Sequence, residues 1–140
     1  MNVSRPIYRL SAELRRQAQL ALANEEWLAG SGLRPLATVV VRIVDEHGPC
    51  SQRAITDKLG LDPSDLVSML DQLEQAGLVE RQRDPDDRRR NVVALTAQGV
   101  KAAKRLTELA TQAEDAALAR LSEKERAELA RLIERALGDR

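Results

Sequence analysis

Two short helical patterns separated by a turn, with a charged hairpin directly after them, limit the possible folds of this chain most strongly. In residues 51–59 (SQRAITDKL) apolar residues recur at helical spacing, and Gly60 ends the run. The second pattern opens with Asp62 at the N-cap and Pro63 at the first helical position. Its apolar stripe consists of Leu66, Leu70 and Leu73. The spacing predicts a helix-turn-helix, whose second helix enters the major groove in DNA-binding proteins.

The hairpin follows at once, because Gly77 ends the second helix. Residues 78–83 and 91–95 read as short strands, and residues 84–90 form a connection too long for a tight turn. Five arginines lie within ten residues of this hairpin and could follow one groove of a duplex: Arg81, Arg83, Arg88, Arg89 and Arg90. We therefore predict a winged helix-turn-helix with a two-stranded β wing.

Amphipathic helices flank this central unit. Periodicity predicts helices over about 11–29, 35–47 and 97–120, and a final helix opened by the capping box of Ser122 and Glu125. A 24-residue helix is about 36 Å long and would extend beyond a small domain. Its apolar side would then need a packing partner there, and a second copy of the chain is the simplest one. The expected fold is mainly α. Its parts are an N-terminal dimerisation helix (1–32), the DNA-binding domain (33–96) and C-terminal dimerisation helices (97–140).

Composition restricts the class of protein. With 43% hydrophobic and 31% charged residues the chain is globular, and a single Cys excludes a disulfide within one chain. We expect a cytoplasmic protein with no membrane contact, because the sequence has no apolar run of about 20 residues and no signal-peptide pattern. The formal net charge is zero, which counts against a strongly basic DNA-binding surface.

The second helix of the motif is the candidate recognition helix. Helical geometry predicts that Ser64, Asp65, Ser68, Gln72 and Gln75 face outward, and the first four of these are the expected DNA contacts. Serine reaches phosphates or base edges, aspartate accepts from the cytosine amino group, and glutamine can bind adenine. The alternative is the polar face of a packing helix. Four acidic residues and the absence of Lys and Arg support that alternative: Asp62, Asp65, Asp71 and Glu74.

Two further candidate contacts lie outside that helix. Guanidinium groups at a hairpin tip are attracted into the narrow minor groove, so we expect DNA contacts from Arg88, Arg89 and Arg90. The preceding acids Asp86 and Asp87 could hold one arginine by a bidentate pair, and Asp87 is the residue expected to support the wing. A solvated loop is the alternative. At the start of the first helix, Ser51, Gln52 and Arg53 are expected to bind a phosphate, and ordinary capping is compatible with this.

The patterns of enzymes, metal sites and cofactor sites are missing. The sequence has no phosphate-binding glycine loop, no nucleophile with a plausible His partner, and one His without metal-ligating neighbours. Cys50 is interpreted as a small packing residue, although a helix start would somewhat stabilise its thiolate. Tyr8, Trp27 and Arg42 could line a small-molecule cavity with Arg42 pairing an anion. For Trp27, a core or dimer-interface position is the alternative.

The run from Gly60 to Gly99 resembles the winged-helix core of the MarR family of bacterial transcription regulators. The most specific segments are LEQAGLVER, DPDDRR and LTAQG. The resemblance implies a homodimer built by the terminal helices, and it implies that Arg89 acts as the minor-groove arginine and Asp87 as the acid that holds the wing. It also places Ser64, Asp65 and Ser68 on the part of the recognition helix that contacts bases. The sequence departs from the family because this recognition helix has no basic residues.

Many members of that family release DNA when an anionic small molecule binds in a crevice between the dimerisation and DNA-binding parts. Others respond to oxidation through a Cys in the first helix, which this chain lacks. The sequence therefore predicts a homodimeric repressor that binds double-stranded DNA at a palindromic operator, without a cofactor, and is released by a small anionic effector. The alternative is a winged-helix module whose acidic helix docks a basic protein and never meets DNA.

Overall fold

The computed structural model describes residues 1–138, which form seven α-helices and three short β-strands. In chain order they are α1 (Ser4–Ala23), α2 (Glu26–Ala29), α3 (Pro35–His47), β1 (Cys50–Ser51), α4 (Gln52–Leu59), α5 (Pro63–Gln75), β2 (Val79–Arg83), β3 (Asn91–Leu95), α6 (Ala97–Ala117) and α7 (Glu123–Leu137). The last two positions of the predicted C-terminal segment, 139–140, lie outside the described residues. The mainly α winged helix-turn-helix is confirmed.

Local side-chain chemistry fixes the two helices of the central motif. The Ser51 hydroxyl oxygen accepts a hydrogen bond from the Ala54 backbone N–H at 3.1 Å and caps α4. Asp62 caps α5, since its Oδ1 accepts from the Ser64 backbone N–H at 2.8 Å. Gly60 lies in the left-handed region at φ 64°, which lets the chain turn sharply after α4. These caps agree with the sequence prediction.

The wing belongs to a three-stranded antiparallel sheet of order β1-β3-β2. β2 and β3 pair from Val79 with Leu95 to Arg83 with Asn91, and Cys50 of β1 pairs with Val93. The two-stranded wing is confirmed, and β1 adds to its sheet a third strand that the sequence analysis did not include. β1 has only two residues, too few for any period to be visible in the sequence.

The core lies between α3, α4, α5, β3 and α6 and is aliphatic. Its largest fully buried side chains are Val40, Val41, Val44, Ile55, Leu66, Met69, Leu70, Leu73 and Val93. The predicted leucine stripe of α5 is confirmed, and Met69 joins it. Because this packing covers one side of α5 completely, the opposite side is the one available to a partner.

A tight junction joins the base of the wing to α6. The Thr96 backbone N–H donates to the Leu78 carbonyl at 3.1 Å, and the Thr96 hydroxyl donates to the Gly77 carbonyl at 2.6 Å. A Cβ at Gly99 would lie 1.9 Å from the same Leu78 oxygen, so only glycine fits there. The junction holds β2 and the start of α6 in a fixed relation.

The first helix differs from the prediction at both ends. α1 begins at Ser4 rather than Ser11, which lies inside the helix, and it ends at Ala23 rather than Ala29. The chain then bends at Glu25, whose carboxylate accepts three hydrogen bonds from the guanidinium of Arg105 on α6, the shortest at 2.6 Å. Glu25 has an extended backbone (φ −90°, ψ 110°), so this contact fixes the non-helical residue between α1 and α2 to α6.

The C-terminal helices agree with the prediction in type and differ in detail. α6 ends at Ala117 rather than Arg120, and the apolar side chain of Val100 is exposed. The packing face is rotated toward Ala102 and Leu109, because α6 packs against both α1 and α3. The Ser122–Glu125 capping box of α7 is confirmed. Every residue of α7 is at least partly exposed.

None of the helices within residues 1–138 combines the length and the apolar character that crossing a bilayer requires.

Candidate nucleic-acid interface

The exposed side of α5 begins next to the start of α4. Ser64, Asp65 and Ser68 are all exposed, as predicted. Gln52 and Arg53 of α4 share one surface depression with Pro63 at the start of α5. The starts of the two helices are therefore neighbours, and their backbone N–H groups present partial positive charge on one part of the surface.

Some polar groups at this surface are already engaged within the chain. The Ser64 hydroxyl donates to Asp62 Oδ1 at 2.6 Å. This hydrogen bond, together with the one from the Ser64 backbone, lowers the pKa of Asp62. Ser64 can therefore offer DNA its oxygen lone pairs, while its hydroxyl proton is directed at the cap.

Arg81 modifies the charge of α5 in a way that the sequence did not indicate. Its guanidinium, on β2, donates to both Asp71 and Glu74 on the exposed side of α5. These bonds raise the pKa of Arg81, with Glu74 the larger contributor. The sequence placed Arg81 with the wing arginines along one groove, and its contact with DNA stays a prediction. In the structure its single positive charge offsets one of the two negative charges of Asp71 and Glu74, and it ties α5 to the wing.

Gln72 lies apart from the other candidate residues of α5. It is half-buried, and its Oε1 is buried without a hydrogen-bond partner among residues 1–138. It lines a cavity of about 490 Å³ that also includes Trp27 and Gln98. The prediction that Gln72 faces outward was wrong, because it lies on the flank of α5 that turns toward the loop after α2. Its contact with DNA stays a prediction.

The wing carries its arginines beyond the end of the β ladder. The Asp84 backbone N–H donates to the Arg90 carbonyl at 2.9 Å and closes the loop. Arg88, Arg89 and Arg90 are exposed, and the Arg89 side chain keeps 96% of its surface accessible. The tip therefore presents guanidinium groups in solvent on an internally hydrogen-bonded loop.

Asp87 contacts this loop through the backbone. Its Oδ1 accepts from the Arg89 backbone N–H at 3.1 Å, whereas the Arg89 Nε lies 3.8 Å away. Arg90 Nε is 4.0 Å from Asp84 Oδ2. The expected bidentate pair between Asp87 and an arginine is absent in residues 84–90. Asp87 orders the turn and leaves the Arg89 side chain free to reach outward.

The residues expected to line one cavity are separated. Arg42 lines a cavity of about 570 Å³ between α1, α3 and α6, together with Arg15 and Arg34. Trp27 lines the other cavity described above, and Tyr8 is exposed on α1. The hypothesis of a shared cavity was wrong, because α1 ends before Trp27 and the two aromatic residues lie on different elements.

The remaining candidates have structural roles. Cys50 is buried in β1, its thiol donates to the Gly48 carbonyl at 2.9 Å, and burial raises the thiol pKa. The packing interpretation is confirmed, and the expected stabilisation of its thiolate was wrong. Residues 1–138 contain no group of three His, Cys, Asp or Glu side chains placed to hold a metal ion.

Comparison with known proteins agrees with this geometry. Residues 33–90 match the model of the MarR family. The chain is 32% identical over 105 residues to the transcriptional regulator HosA of Escherichia coli O111:H-, which covers 75% of this chain and 77% of that protein. It is 34% identical over 87 residues to the HTH-type transcriptional regulator YwhA of Bacillus subtilis, covering 62% of this chain. The chain spans 63% of the length of that relative.

Solved structures extend the likeness over almost the whole chain. A transcriptional regulator of Pseudomonas aeruginosa has a TM-score of 0.73 at 29% identity, covering 92% of this chain and 94% of that one. A MarR family protein of Mycobacterium tuberculosis, solved in complex with DNA, has a TM-score of 0.73 at 26% identity, covering 99% of both chains. Members of the family are non-enzymatic transcription regulators. With its helix-turn-helix, its arginine-tipped wing and these relatives, the chain belongs to the MarR family.

Proposed function

We propose that this protein is a cytoplasmic, sequence-specific DNA-binding regulator that represses transcription as a homodimer at a palindromic operator. The observation that carries the proposal is the pairing of an exposed α5 start with an ordered wing whose arginines lie in solvent. A relative of the same length and fold has been solved with DNA bound, which supports the same use here.

Each part of this surface suits one part of a duplex. The first two turns of α5 would enter the major groove, where Asp65 and Ser68 reach base edges. The Arg88–Arg90 tip would enter the adjacent minor groove, whose negative potential attracts guanidinium groups. The start of α4, with Gln52 and Arg53, would bind a phosphate through backbone N–H groups. Since the Ser51 oxygen already caps α4, its contribution would come through the backbone.

The homodimer is supported by apolar side chains left uncovered on the two terminal helices. On α1 these include Ile7, Tyr8 and Leu20, and on α7 they include Leu132, Ile133 and Leu137. Exposed apolar groups recurring on one helix indicate an interface rather than scattered surface residues. A two-fold dimer would present two α5 helices to successive major grooves, roughly 34 Å apart.

Release by a small anionic ligand is supported by the cavity between α1, α3 and α6. Its apolar wall includes Leu22, Leu106 and Leu109. Three guanidinium groups, of Arg15, Arg34 and Arg42, lie around it, and Arg42 Nε is buried without a partner among residues 1–138. An anion with an apolar body matches this combination of charge and wall. The cavity joins helices of the proposed dimerisation and DNA-binding parts, so occupancy could change their relative positions.

The alternative of a protein-docking module depended on the acidic charge of α5. Arg81 offsets one of these negative charges by pairing with Asp71 and Glu74, and the Asp62 carboxylate is engaged as the helix cap. The negative charge that would attract a basic partner is reduced in this way, and the exposed arginines of the wing favour DNA.

The proposal is tested by selecting bound duplexes from a random library with the purified protein, while the mass of the free protein is measured in parallel. We expect an enriched inverted repeat and the mass of a dimer. A well-folded dimer that enriches no sequence at low salt would overturn the DNA-binding proposal and favour protein docking.

The wing is tested by Arg89→Ala on the selected duplex. Loss of one phosphate-region contact should weaken binding and lower the slope of log affinity against log salt by about one. Arg120→Ala is the matched control, because it removes the same charge from the exposed turn between α6 and α7. If the two variants have the same affinity and slope, the wing takes no part in binding.

A further inference from the structure

An apolar side chain lies on the side of α5 that the proposed function places in the major groove. Val67, the fifth residue of the helix, keeps 39% of its surface exposed. The opposite side of the helix is filled by Leu66, Met69 and Leu70, all fully buried. Helical geometry therefore holds Val67 outward, next to Ser64 and Ser68. No residue of the buried core is available to cover it on that side.

The polar groups around Val67 are largely engaged inside the chain. The Ser64 hydroxyl donates to Asp62, one turn toward the start of the helix. Asp71 and Glu74, one and two turns further on, are held by Arg81. Val67 thus places two methyl groups on the exposed flank of α5, beside polar groups whose hydrogen-bonding capacity is partly used. Such a patch favours an apolar contact.

The chemistry of the helix narrows what it can recognise. Residues 63–75 contain no Lys or Arg, so the bidentate contact to guanine, the commonest specific contact in the major groove, cannot come from α5. Among the four bases only thymine presents a methyl group in that groove. An aliphatic side chain in the first two turns of a recognition helix is suited to meet it.

Resting on the proposed function, we propose that Val67 is a specificity-determining residue that contacts the 5-methyl group of one thymine in each half-site. The two valine methyl groups and the thymine methyl leave water together when α5 enters the groove. Cytosine and the purines offer no apolar group at that place, so the contact discriminates against them without a hydrogen bond. Ser68 and Asp65 would then read neighbouring positions by hydrogen bonding.

The test replaces each thymine of the selected duplex by uracil, one position at a time, which removes only the 5-methyl group. For the parent protein we expect one position in each half-site where uracil weakens binding roughly three- to tenfold. This loss corresponds to the free energy gained by burying about one methyl group. For Val67→Ala, the thymine duplex should bind more weakly, and uracil at that position should have no further effect. Val67→Thr, which keeps one of the two methyl groups, should give an intermediate loss.

Ser68→Ala is the matched control, because it shortens the neighbouring exposed side chain and leaves Val67 in place. It should keep the full uracil effect. Equal thermal unfolding midpoints for the three variants and the parent would establish that the fold is unchanged, as expected for exposed positions.

Two results would overturn the inference while leaving DNA binding intact. One is a parent protein that binds the thymine and uracil duplexes equally at every position. The other is a uracil effect that persists undiminished in Val67→Ala, which would assign the methyl contact to another residue. If the parent selects no duplex at all, the proposed function fails first and the inference fails with it.

Discussion

The centre of this molecule and its two ends bury their apolar residues in opposite ways. In the centre, α3, α4, α5 and β3 enclose, together with the packing side of α6, a core of aliphatic side chains that are covered by the same chain. At the ends, every residue of α1 and α7 keeps some exposure, and large apolar side chains such as Ile7 and Ile133 face outward. We interpret the centre as a unit that one chain completes and the ends as surfaces that need a second copy.

The rigid core of the centre makes it the suitable place for the proposed recognition helix. A recognition helix must hold its exposed side at a fixed angle, and α5 does so because four of its side chains are locked in the core. The wing is held to the same unit by Arg81 and by the junction at Thr96. In the proposed dimer, the ends would set the spacing of two such units.

The largest expected effect comes from Gly99→Ala in the junction. In an unobstructed helix this change would stabilise by about 1 kcal/mol. Here the new Cβ would lie 1.9 Å from the Leu78 carbonyl oxygen, which is itself held by the Thr96 N–H. The wing base must shift away from α6, so we expect a net loss of about 3 kcal/mol in the free energy of unfolding, measured by urea denaturation.

Gly30→Ala is the matched control for that variant. No atom lies within 4 Å of the position its Cβ would take, and φ is −103°. Its free energy of unfolding should stay within about 0.5 kcal/mol of the parent. If Gly99→Ala and Gly30→Ala have the same free energy of unfolding, the junction can adjust to a new Cβ and does not fix the position of the wing.

The next effect concerns the ends. Ile133→Glu places a charge on the exposed apolar face of α7, where it would have to be buried in the proposed dimer. We expect the dissociation constant of the dimer to rise about 30- to 100-fold, corresponding to about 2–3 kcal/mol, as measured by sedimentation equilibrium. The circular dichroism spectrum of the variant should keep the helical signal of the centre.

Lys124→Glu is the control, because it adds negative charge at an exposed polar position of the same helix. If Ile133→Glu has the same dimer dissociation constant as the parent, this side of α7 does not form the interface. Loss of all helical signal would instead contradict the idea that the centre folds as a unit of its own.

The difference between centre and ends also separates what the sequence could predict from what it could not. Helix starts were predictable where the cap and its partner lie within three residues, as for Ser51, Asp62 and Ser122. The exposed side of α5 followed from the leucine stripe, and the solvent position of the arginine tip followed from the hairpin. In each case the determinants are neighbours in the chain.

Several of the differences involve partners distant in sequence. The Cys50–Val93 pairing adds a third strand, and β1 is too short for its pattern to be visible in the sequence. Arg81 pairs with Asp71, ten positions earlier in the chain. Glu25, just after the end of α1, is bound by Arg105, 80 positions later. The periodicity of apolar residues predicts which side of a helix is buried. It does not predict which charged groups the tertiary fold brings together.

The smallest expected effect lies at the boundary between the two regions, where the Glu25 carboxylate accepts hydrogen bonds from Arg105 at 2.6 Å and from the Trp27 indole N–H at 2.9 Å. The Arg105 bonds are the main cause that lowers the pKa of Glu25 below its ordinary value of 4.5. A carboxyl group with a lowered pKa contributes stability that is fully present above 4.5 and is lost as the pH falls through its folded-state pKa.

Glu25→Gln should therefore lower the thermal unfolding midpoint by a few degrees at pH 7, and the difference from the parent should shrink as the pH is lowered from 4.5 toward 3. Glu108→Gln is the control, since Glu108 pairs with the same arginine from an exposed position on α6 and should matter less. The test is the shape of the two curves of midpoint against pH. Curves that stay parallel down to pH 3 would show that the charge of Glu25 does not hold the bend, and that α1 ends where it does because of packing alone.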